Sequence, residues 1–370
     1  MAESATRFAF TEEHDGLRDL VRSFVTRRVD ETAVRDQLTS DRGFDLETWQ
    51  ALGSDLGVLG LALPEAAGGD GAGVVPLAIV AHELGRMPSG LPLLGSVVLA
   101  GTVLAGCGRA DLVQEVVAGR EVLSLVATDA RGRWAPDATG ITASDGRLTG
   151  RAALVLDAVG ADALVVVADG GDGPALFLVR AGAAGLTVSA QSQLDLTRRL
   201  AVVELRDTPA ERLEGDAPAL VAAARDVGAV VLAAEAVGAM EQLLRMSVDY
   251  AGQRLQFGRA IGSFQGVKHR CADMYAAVEQ SRSTAYHAAW TLDDPSLDDP
   301  RIATDLATVE TAGDYLAVVK DTVQVHGGIG FTWEHPAHLY YKRAVSDATL
   351  LGGRAAAAQR LADSILGESA

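Results

Sequence analysis

Two stretches of this chain stand at the ends of long apolar helical patterns: RLQFGRAIGSFQGVKHRCADM at residues 254–274 and QVHGGIGFT at residues 324–332. In the first, the guanidinium of Arg254 can bind two phosphate oxygens at once. In the second, Gly327 and Gly328 let backbone N–H groups approach an anion without a Cβ in the way. Gly327 also suits the C-terminal cap of a helix. The residue types therefore fit a site for a phosphate-bearing ligand.

Both stretches resemble the signature of the acyl-CoA dehydrogenase family. The resemblance implies that one subunit contacts the adenosine and pyrophosphate of an FAD held by its neighbour. The residues that would make these contacts are Arg254, Phe257, Gln265, Gln324, Gly327 and Gly328. The resemblance covers essentially the whole chain. It implies an α+β fold with an N-terminal helical domain, a middle β-barrel-like domain and a C-terminal four-helix bundle.

The hydrophobic period along the chain agrees with this order of domains. Thr11 predicts the N-cap of an amphipathic helix, Asp45 predicts the start of another, and residues 75–87, 93–105 and 111–118 continue the helical pattern. At Glu121 the period changes from 3.6 to 2, and four strand-like runs follow: VLSLVAT, ALVVVA, ALFLVR and LAVVEL. We therefore predict domains at residues 1–120, 121–212 and 213–370.

The sequence pattern of the last predicted domain indicates long helices. Asp216 predicts the cap of a helix with Pro218 in its first turn, and residues 227–240 are apolar on every side, which indicates a buried helix. Ser263 is the expected cap of the next helix. Residues 301–325 form a third helical pattern that stops at Gly327, Pro336 opens a fourth, and residues 354–366 close the chain.

The chemistry implied by the resemblance is the α,β-dehydrogenation of an acyl-CoA thioester. A carboxylate removes the α-proton while the β-hydrogen leaves as hydride to the flavin. Threading this chain onto the family's two base positions reaches Gly228 in one case and Leu351 or Gly352 in the other, and none of these is acidic. The nearest carboxylates are Asp226, Glu235 and Asp347. The catalytic residue is therefore unassigned.

Glu235 is the carboxylate that most resembles a displaced base. It lies seven residues from Gly228 on the same helix face, but seven residues span about 10 Å of helix. A buried glutamate paired with an arginine or a backbone group is the interpretation we favour. Asp347 is a weaker substitute for the base.

The predicted β domain also departs from the family's flavin-ring contacts. The chain has Thr128-Asp129-Ala130-Arg131-Gly132 where the family often reads T-E-P-x-x-G-S-D. It has Ala153-Leu154-Val155 where the family places a W-I-T phrase against the ring. An aromatic wall and a hydroxyl donor are missing together, although Thr128 could still offer a contact.

Bulk properties exclude several other functions. The formal net charge of −17 argues against nucleic acid and anionic membranes as partners. We expect Cys107 and Cys271 to be buried apolar side chains without a disulfide, as in a protein of a reducing compartment. The first ten residues lack the apolar core of a signal peptide, and residues 227–240 are too short to span a bilayer, so we expect a cytoplasmic protein.

A metal site is not predicted. Glu334, His335 and His338 form the run EHPAH, but Pro336 lies between the two histidines and no third ligand is evident. His326 and His269 are expected to serve packing or the cofactor pocket. No Ser-His-Asp or Cys-His arrangement has a local signature in this sequence.

Three hypotheses remain open. The first is a non-catalytic, FAD-sharing subunit that pairs with a homologous acyl-CoA dehydrogenase subunit in a heterotetramer, a dimer of dimers. The second is a self-sufficient homo-oligomeric dehydrogenase, or a related flavoenzyme, with an unplaced base. The third is a purely architectural subunit. By family resemblance the substrate is an acyl-CoA, bulky or steroid-like by analogy with actinobacterial members, and an electron-accepting flavoprotein is the partner for reoxidation.

Overall fold

The structure is a computed structural model that describes residues 8–367. The chain divides into two compact units. The helical unit combines the described residues up to Val34, the segment Ala78–Ser89 and the described residues from Ala229 onward. The sheet unit combines Arg35–Leu77 with Gly90–Gly228. Residues 1–7, where a signal peptide is predicted to be absent, lie outside the described residues, and the division into three domains stays a prediction.

The helices follow the predicted pattern closely. In chain order they are α1 Glu12–Arg28, α2 Glu31–Gln37, α3 Leu46–Ser54, α4 Val74–Gly85, a π-helix Leu93–Gly101, α5 Thr102–Gly106, α6 Ala110–Val117, α7 Ala217–Gln253, α8 Gln265–Asp293, α9 Pro300–His326, α10 Ala337–Asp347 and α11 Gly353–Leu366. Within residues 8–367, none of these helices is both long and apolar enough to cross a membrane.

Most predicted helix caps are confirmed. The Thr11 hydroxyl accepts the N–H of His14, the Asp45 carboxylate accepts that of Thr48, and Asp216 accepts that of Ala219. The prediction for Ser263 is wrong, because its hydroxyl donates to the carbonyl of Ala260 instead of capping α8. The two cysteines are half-buried free thiols, not fully buried ones, and burial raises the pKa of each.

The π-helix was predicted only as a helix. Hydrogen bonds in a π-helix run between residues five apart, and such stretches are rare. All nine of its residues are buried. Ser96 accepts the N–H of Leu123 at 3.0 Å, while Gly95 leaves room for Asp157, whose carboxylate would lie 2.4 Å from an added Cβ. These contacts join the π-helix to the strands of the sheet unit.

The four predicted strand runs are confirmed within an eight-stranded sheet. The strands are β1 Leu123–Val126, β2 Thr142–Ser144, β3 Arg147–Leu156, β4 Ala163–Asp169, β5 Pro174–Arg180, β6 Leu186–Ala190, β7 Leu200–Pro209 and β8 Glu211–Leu213. Their order is β6-β7-β3-β2-β4-β5-β8, with β1 parallel to β4. Asp145 and Gly146 both have positive φ, which gives a tight turn between β2 and β3. Buried residues of β1, β3, β4, β5 and β7 form one apolar core.

Close backbone contact organises the helical unit. A Cβ on Gly238 of α7 would lie 1.8 Å from the carbonyl oxygen of His82 in α4, and one on Gly85 would lie 2.1 Å from that of Glu235. Only glycine permits this approach. On another side of the unit, α8 and α9 run antiparallel, since Arg270 pairs with Asp321 and Ser281 donates to Asp314.

A buried polar cluster lies beside the contact between α4 and α7. Glu83 is fully buried and accepts two hydrogen bonds from Arg22, at 2.9 and 2.8 Å. Glu241 lies 3.1 Å from His82 and 2.9 Å from Arg86. Burial alone would raise the pKa of Glu241, but the hydrogen bond from His82 and the nearby charges outweigh it and lower the pKa to about 2.

We predict that Glu241→Gln destabilises the chain in a pH-dependent way. Because the pKa falls from 4.5 to about 2 on folding, the ionised carboxylate contributes roughly 2–3 kcal/mol above pH 4.5, and this is lost as the pH falls toward 2. Denaturant unfolding of variant and wild type at pH 7 and at pH 3 measures the difference. Glu279→Gln is the control, because the Glu279 contact with Arg282 is exposed and contributes little. An equal Glu241→Gln loss at both pH values would contradict the prediction.

Candidate functional site

The first motif contains a short hairpin that the sequence pattern did not indicate. Strands β9 Leu255–Gln256 and β10 Arg259–Ala260 pair in antiparallel fashion after α7 ends. The turn residues Phe257 and Gly258 have φ of 52° and 78°, as a type I′ turn requires. A phenylalanine with positive φ is unusual. The residue is 92% exposed and its ring makes an edge-to-face contact with Phe264, so the hairpin presents Phe257 to solvent at its tip.

Arg254 lies at the base of this hairpin. Its N–H donates to the carbonyl of Tyr250 and its own carbonyl accepts the N–H of Ile261, both at 2.8 Å. These bonds fix the backbone and leave the side chain exposed. Within residues 8–367 the Arg254 guanidinium makes no ion pair or hydrogen bond. By contrast, the guanidinium of Arg259 lies 4.1 Å from the centre of the Phe264 ring.

The second motif begins where α9 ends. Gly327 caps the helix, as predicted, with φ 61° and ψ −138°, a conformation that favours glycine. Gly328 has no positive φ, and a Cβ added at either position would meet no atom of the described chain within 4 Å. Both glycines are exposed. The described part of the chain therefore gives no packing reason for glycine at 328, and the space beside it is open for a ligand.

A stack of three rings brings the two motifs together. The His326 ring stacks on Tyr250 with ring centres 4.5 Å apart and meets the tilted ring of His335 at 4.3 Å. Its Nδ1 lies 2.8 Å from the carbonyl of Thr322, and burial lowers the pKa of His326. The packing role expected for His326 is confirmed. The roles of Tyr250 and His335 were not foreseen, although Tyr250 precedes Arg254 by one helical turn.

The two glutamines lie at the same end of the helical unit. Because α8 and α9 are antiparallel and Arg270 faces Asp321, the first residue of α8, Gln265, lies level with the last turn of α9. That turn contains Gln324. Both glutamines are exposed, and the Gln265 amide lies 3.4 Å from the ring of His269. All six residues predicted to contact a cofactor are thus gathered at one exposed end of this unit.

The positions that correspond to a catalytic base hold no acid. Gly228 is buried within α7. Leu351 has φ 55° and ψ 29°, followed by Gly352 with φ 91°, so this segment keeps a strained turn without a carboxylate.

The three nearby carboxylates all have partners. Glu235 is buried and lies 3.7 Å from Arg343, so the favoured interpretation of a paired glutamate is confirmed. Asp226 is bound by its neighbour Arg225, and Asp347 is engaged in an interaction as well. We find no displaced base among these three residues.

The segments expected at a flavin ring are occupied by contacts within the sheet unit. The Thr128 hydroxyl donates to the carbonyl of Ala153 at 2.7 Å. A Cβ on Gly132 would lie 2.5 Å from the side chain of Leu154, which sits in an irregular part of β3 with φ 53°. The Asp129 carboxylate accepts hydrogen bonds from backbone N–H groups and forms an ion pair with Arg133. These contacts lower the pKa of Asp129. This loop offers neither a free hydroxyl nor an aromatic side chain at the positions named.

The two sets of residues fit FAD differently. Arg254, which has no partner among the described residues, and the open space at Gly327 and Gly328 suit the pyrophosphate. The loop around Thr128 does not suit the flavin ring. No group of three or more metal-ligating side chains is found in the described part of the chain, and the ring of His335 is packed on His326.

Two family models and several known proteins match this chain. The family model of the acyl-CoA dehydrogenase C-terminal domain matches residues 219–366, and that of the N-terminal domain matches residues 11–119. Acyl-CoA dehydrogenase IpdE2 of Mycobacterium tuberculosis is 36% identical over 344 residues, which are 92% of this chain and 93% of that protein.

Two solved structures are similar over nearly the whole chain. One belongs to the ChsE4–ChsE5 complex of Mycobacterium tuberculosis, with 31% identity and a TM-score of 0.87, and covers 98% of this chain and 100% of that one. The other belongs to a variant of the steroid ACAD Tcur3481–Tcur3483, with 33% identity and a TM-score of 0.85, and covers 96% and 98%.

We predict that Phe257→Asn makes the chain more stable. Asn-Gly is the favoured pair for a type I′ turn, and replacing a strained phenylalanine should raise the free energy of unfolding by roughly 1 kcal/mol. Asp145→Phe is the matched control, because it puts the unfavourable residue into the turn between β2 and β3 and should lower stability. Denaturant unfolding at pH 7 measures both. A less stable Phe257→Asn chain would show that the exposed ring is needed by the fold.

Proposed function

Since this chain belongs to the acyl-CoA dehydrogenase family, we propose that it is the non-catalytic subunit of a heteromeric acyl-CoA dehydrogenase. In this proposal it lends phosphate-binding residues to an FAD whose flavin ring and catalytic base belong to a homologous subunit. Members of the family are FAD flavoproteins, and the cofactor supplies the hydride acceptor for α,β-dehydrogenation of an acyl-CoA.

The observation that carries the proposal is the contrast between two sets of residues. The residues that would face a neighbour's cofactor are retained and exposed, among them Arg254 with no partner in the described chain. The residues that would act on this chain's own substrate, namely the catalytic base and the flavin-ring contacts, are absent from the expected positions. A chain that used its own site would need a carboxylate at position 228, or at position 351 or 352. A chain with no cofactor role would not need a strained, exposed Phe257.

The proposed role of each lending residue follows from its chemistry. Arg254 would donate two hydrogen bonds to the pyrophosphate. Gly327 and Gly328 would admit the phosphates close to the backbone. Gln265 and Gln324 would donate or accept through their amides, and the exposed ring of Phe257 would cover an apolar part of the adenosine. None of these side chains moves a proton.

The relatives favour a two-component assembly. Both solved structures described above are named as pairs of unlike components, and one is named a steroid ACAD. We extend this to the present chain as a dimer of heterodimers in the cytoplasm that acts on a bulky, steroid-type acyl-CoA and is reoxidised by an electron-accepting flavoprotein.

A self-sufficient dehydrogenase is the second candidate, favoured by the retention of the complete pyrophosphate-contact set. It differs in a measurable way, because the chain purified alone would bind FAD and bleach with its acyl-CoA. A purely architectural subunit would leave FAD binding by the complex independent of Arg254. FAD binding by the chain alone therefore tests the self-sufficient enzyme, and the dependence of FAD binding on Arg254 in the complex tests the architectural subunit.

We predict that Arg254→Ala in the co-expressed complex weakens FAD binding. The partner would be a homologue from the same organism that carries a glutamate at one of the two base positions. Loss of a bidentate phosphate contact should cost roughly 1.5–3 kcal/mol, or one to two decades in affinity. FAD titration of the deflavinated complex, followed by flavin fluorescence, measures the dissociation constant.

Arg259→Ala is the matched control for this experiment. It removes the same charge five residues away on the same hairpin, but its guanidinium lies over Phe264. We expect its FAD affinity to stay within a factor of two or three of wild type. Equal effects of the two substitutions would reduce the role of Arg254 to general electrostatics, and no effect of either would favour the architectural subunit.

A further inference from the structure

Two histidines at the exposed end of the helical unit have no part in the proposed FAD contacts. His326 is the last residue of α9, and His335 lies just before α10. Their ring centres are 4.3 Å apart, and Tyr250 stacks on His326 as well. Histidine is the side chain whose charge ordinarily changes between about pH 5 and 8. The ring stack formed by Tyr250, His326 and His335 therefore contains two groups that respond to pH.

Each histidine uses its Nδ1 in a hydrogen bond to the backbone. The His326 Nδ1 lies 2.8 Å from the carbonyl oxygen of Thr322. Because a carbonyl oxygen only accepts, this Nδ1 carries the proton, and the neutral ring has its lone pair on Nε2. The His335 Nδ1 accepts the N–H of Ala337, the first residue of α10, at 3.2 Å. The neutral His335 ring therefore carries its proton on Nε2.

A further proton would disturb each ring in a different way. At His326 the new charge would be buried, since this residue is 5% exposed. At His335 a proton on Nδ1 would turn the acceptor of the Ala337 N–H into a donor and break that hydrogen bond. A charge on one ring also opposes a charge on the other at this distance. The ring stack is therefore complete only when both histidines are neutral.

The surrounding charges do not offset this cost. Burial is the larger cause of the lowered pKa of His326, the hydrogen bond to Thr322 opposes it, and within residues 8–367 no charged side chain adds to these two causes. Arg270 is paired with Asp321, and Lys342 lies over the ring of Trp333. The titratable and charged residues that the neighbouring elements carry at this end are Tyr250 and Arg254 of α7, His269 and Arg270 of α8, Asp321 of α9, Glu334 and His335 before α10, and His338 and Lys342 of α10.

We infer that His326 and His335 make this end of the helical unit acid-sensitive, so that it holds the FAD phosphates at pH 7 and loses them below about pH 6. Loss of phosphate binding rests on the proposed function, whereas opening of the ring stack does not. When either ring takes up a proton, the end of α9 separates from the segment before α10. Gly327 and Gly328 then no longer share one surface with Arg254.

The direction of the effect follows from burial. Folding lowers the pKa of His326 from 6.5. The stabilisation by the neutral ring stack is therefore complete above pH 6.5 and is lost as the pH falls through the lowered value. The contribution of the Glu241 carboxylate is lost only below pH 4.5. Measurements between pH 7.5 and pH 5.5 therefore separate the two effects.

The first test follows the ring stack without FAD. Hydrogen–deuterium exchange of residues 326–339 is measured at pH 7.5 and 5.5 in the deflavinated complex, or in the chain alone if no homologue pairs with it. Each rate is divided by that of an unstructured peptide at the same pH. We expect this ratio to rise about threefold to tenfold at pH 5.5, since one histidine contributes at most about tenfold one unit below its ordinary pKa. An unchanged ratio would overturn the inference.

Two variants assign the response to the histidines. His326→Phe keeps an aromatic ring in the stack, and His335→Asn keeps an oxygen that accepts the Ala337 N–H. We expect each to reduce the rise in exchange by half or more. His14→Gln on α1 is the matched control, because glutamine at this position preserves the capping box with Thr11, and it should respond as wild type does. A full response in both His326→Phe and His335→Asn would overturn the inference.

The second test is the FAD affinity of the deflavinated complex at the same two pH values. We expect the dissociation constant to rise at least threefold at pH 5.5 in wild type and less than twofold in His326→Phe. Arg254 and the FAD pyrophosphate keep their charges over this range, and protonated histidines would by themselves attract phosphate. Equal or tighter binding at pH 5.5 would therefore overturn the inference.

The two tests separate this inference from the proposed function. If FAD affinity proves independent of Arg254, the proposed function fails. The exchange of residues 326–339 still decides whether the ring stack opens in acid, because that measurement involves no FAD.

Discussion

The packing of His326 between Tyr250 and His335 is the contact on which the proposed site depends. It joins the last turns of α7 to the end of α9 and to the segment before α10. Because His326 is buried and its pKa is lowered, the stack is held by a neutral ring at pH 7. With these ends fixed, Arg254, Gln265 and the paired glycines share one exposed surface.

The residues of that surface are fixed by backbone contacts, and their side chains remain exposed. Arg254 is held by two main-chain hydrogen bonds, Phe257 by a two-residue turn and Gly327 by a helix cap. Several polar groups elsewhere in the described chain are bound to partners within it. Glu235 lies beside Arg343, Glu83 is bound by Arg22, and the Thr128 hydroxyl is bound to Ala153. A surface of uncommitted groups beside an interior of committed ones favours recognition of a partner's ligand over chemistry within the chain.

Much of the fold could be predicted from sequence because it follows local rules. Helix periodicity and caps such as Thr11, Asp45 and Asp216 predicted most helices within a few residues, and the change of period at Glu121 predicted the sheet. The hairpin tip could not be predicted, because Phe-Gly is not a usual type I′ pair. The π-helix was predicted as a helix, but its π hydrogen bonding was not, because the apolar run at residues 93–101 does not distinguish the two kinds of helix. The ring stack depends on contacts between residues up to 85 positions apart, counted from Tyr250 to His335, and only the structure reveals these.

In the proposed complex this chain forms one half of a shared cofactor site, so the ratio of FAD to protein tests the proposal most directly. The measurement is the FAD content of the purified complex with its homologue, by flavin absorbance against quantitative amino-acid analysis. We expect one FAD for every two chains, one of each kind, and little or none when this chain is purified alone. One FAD per chain, or a full complement of FAD on this chain by itself, would contradict the account.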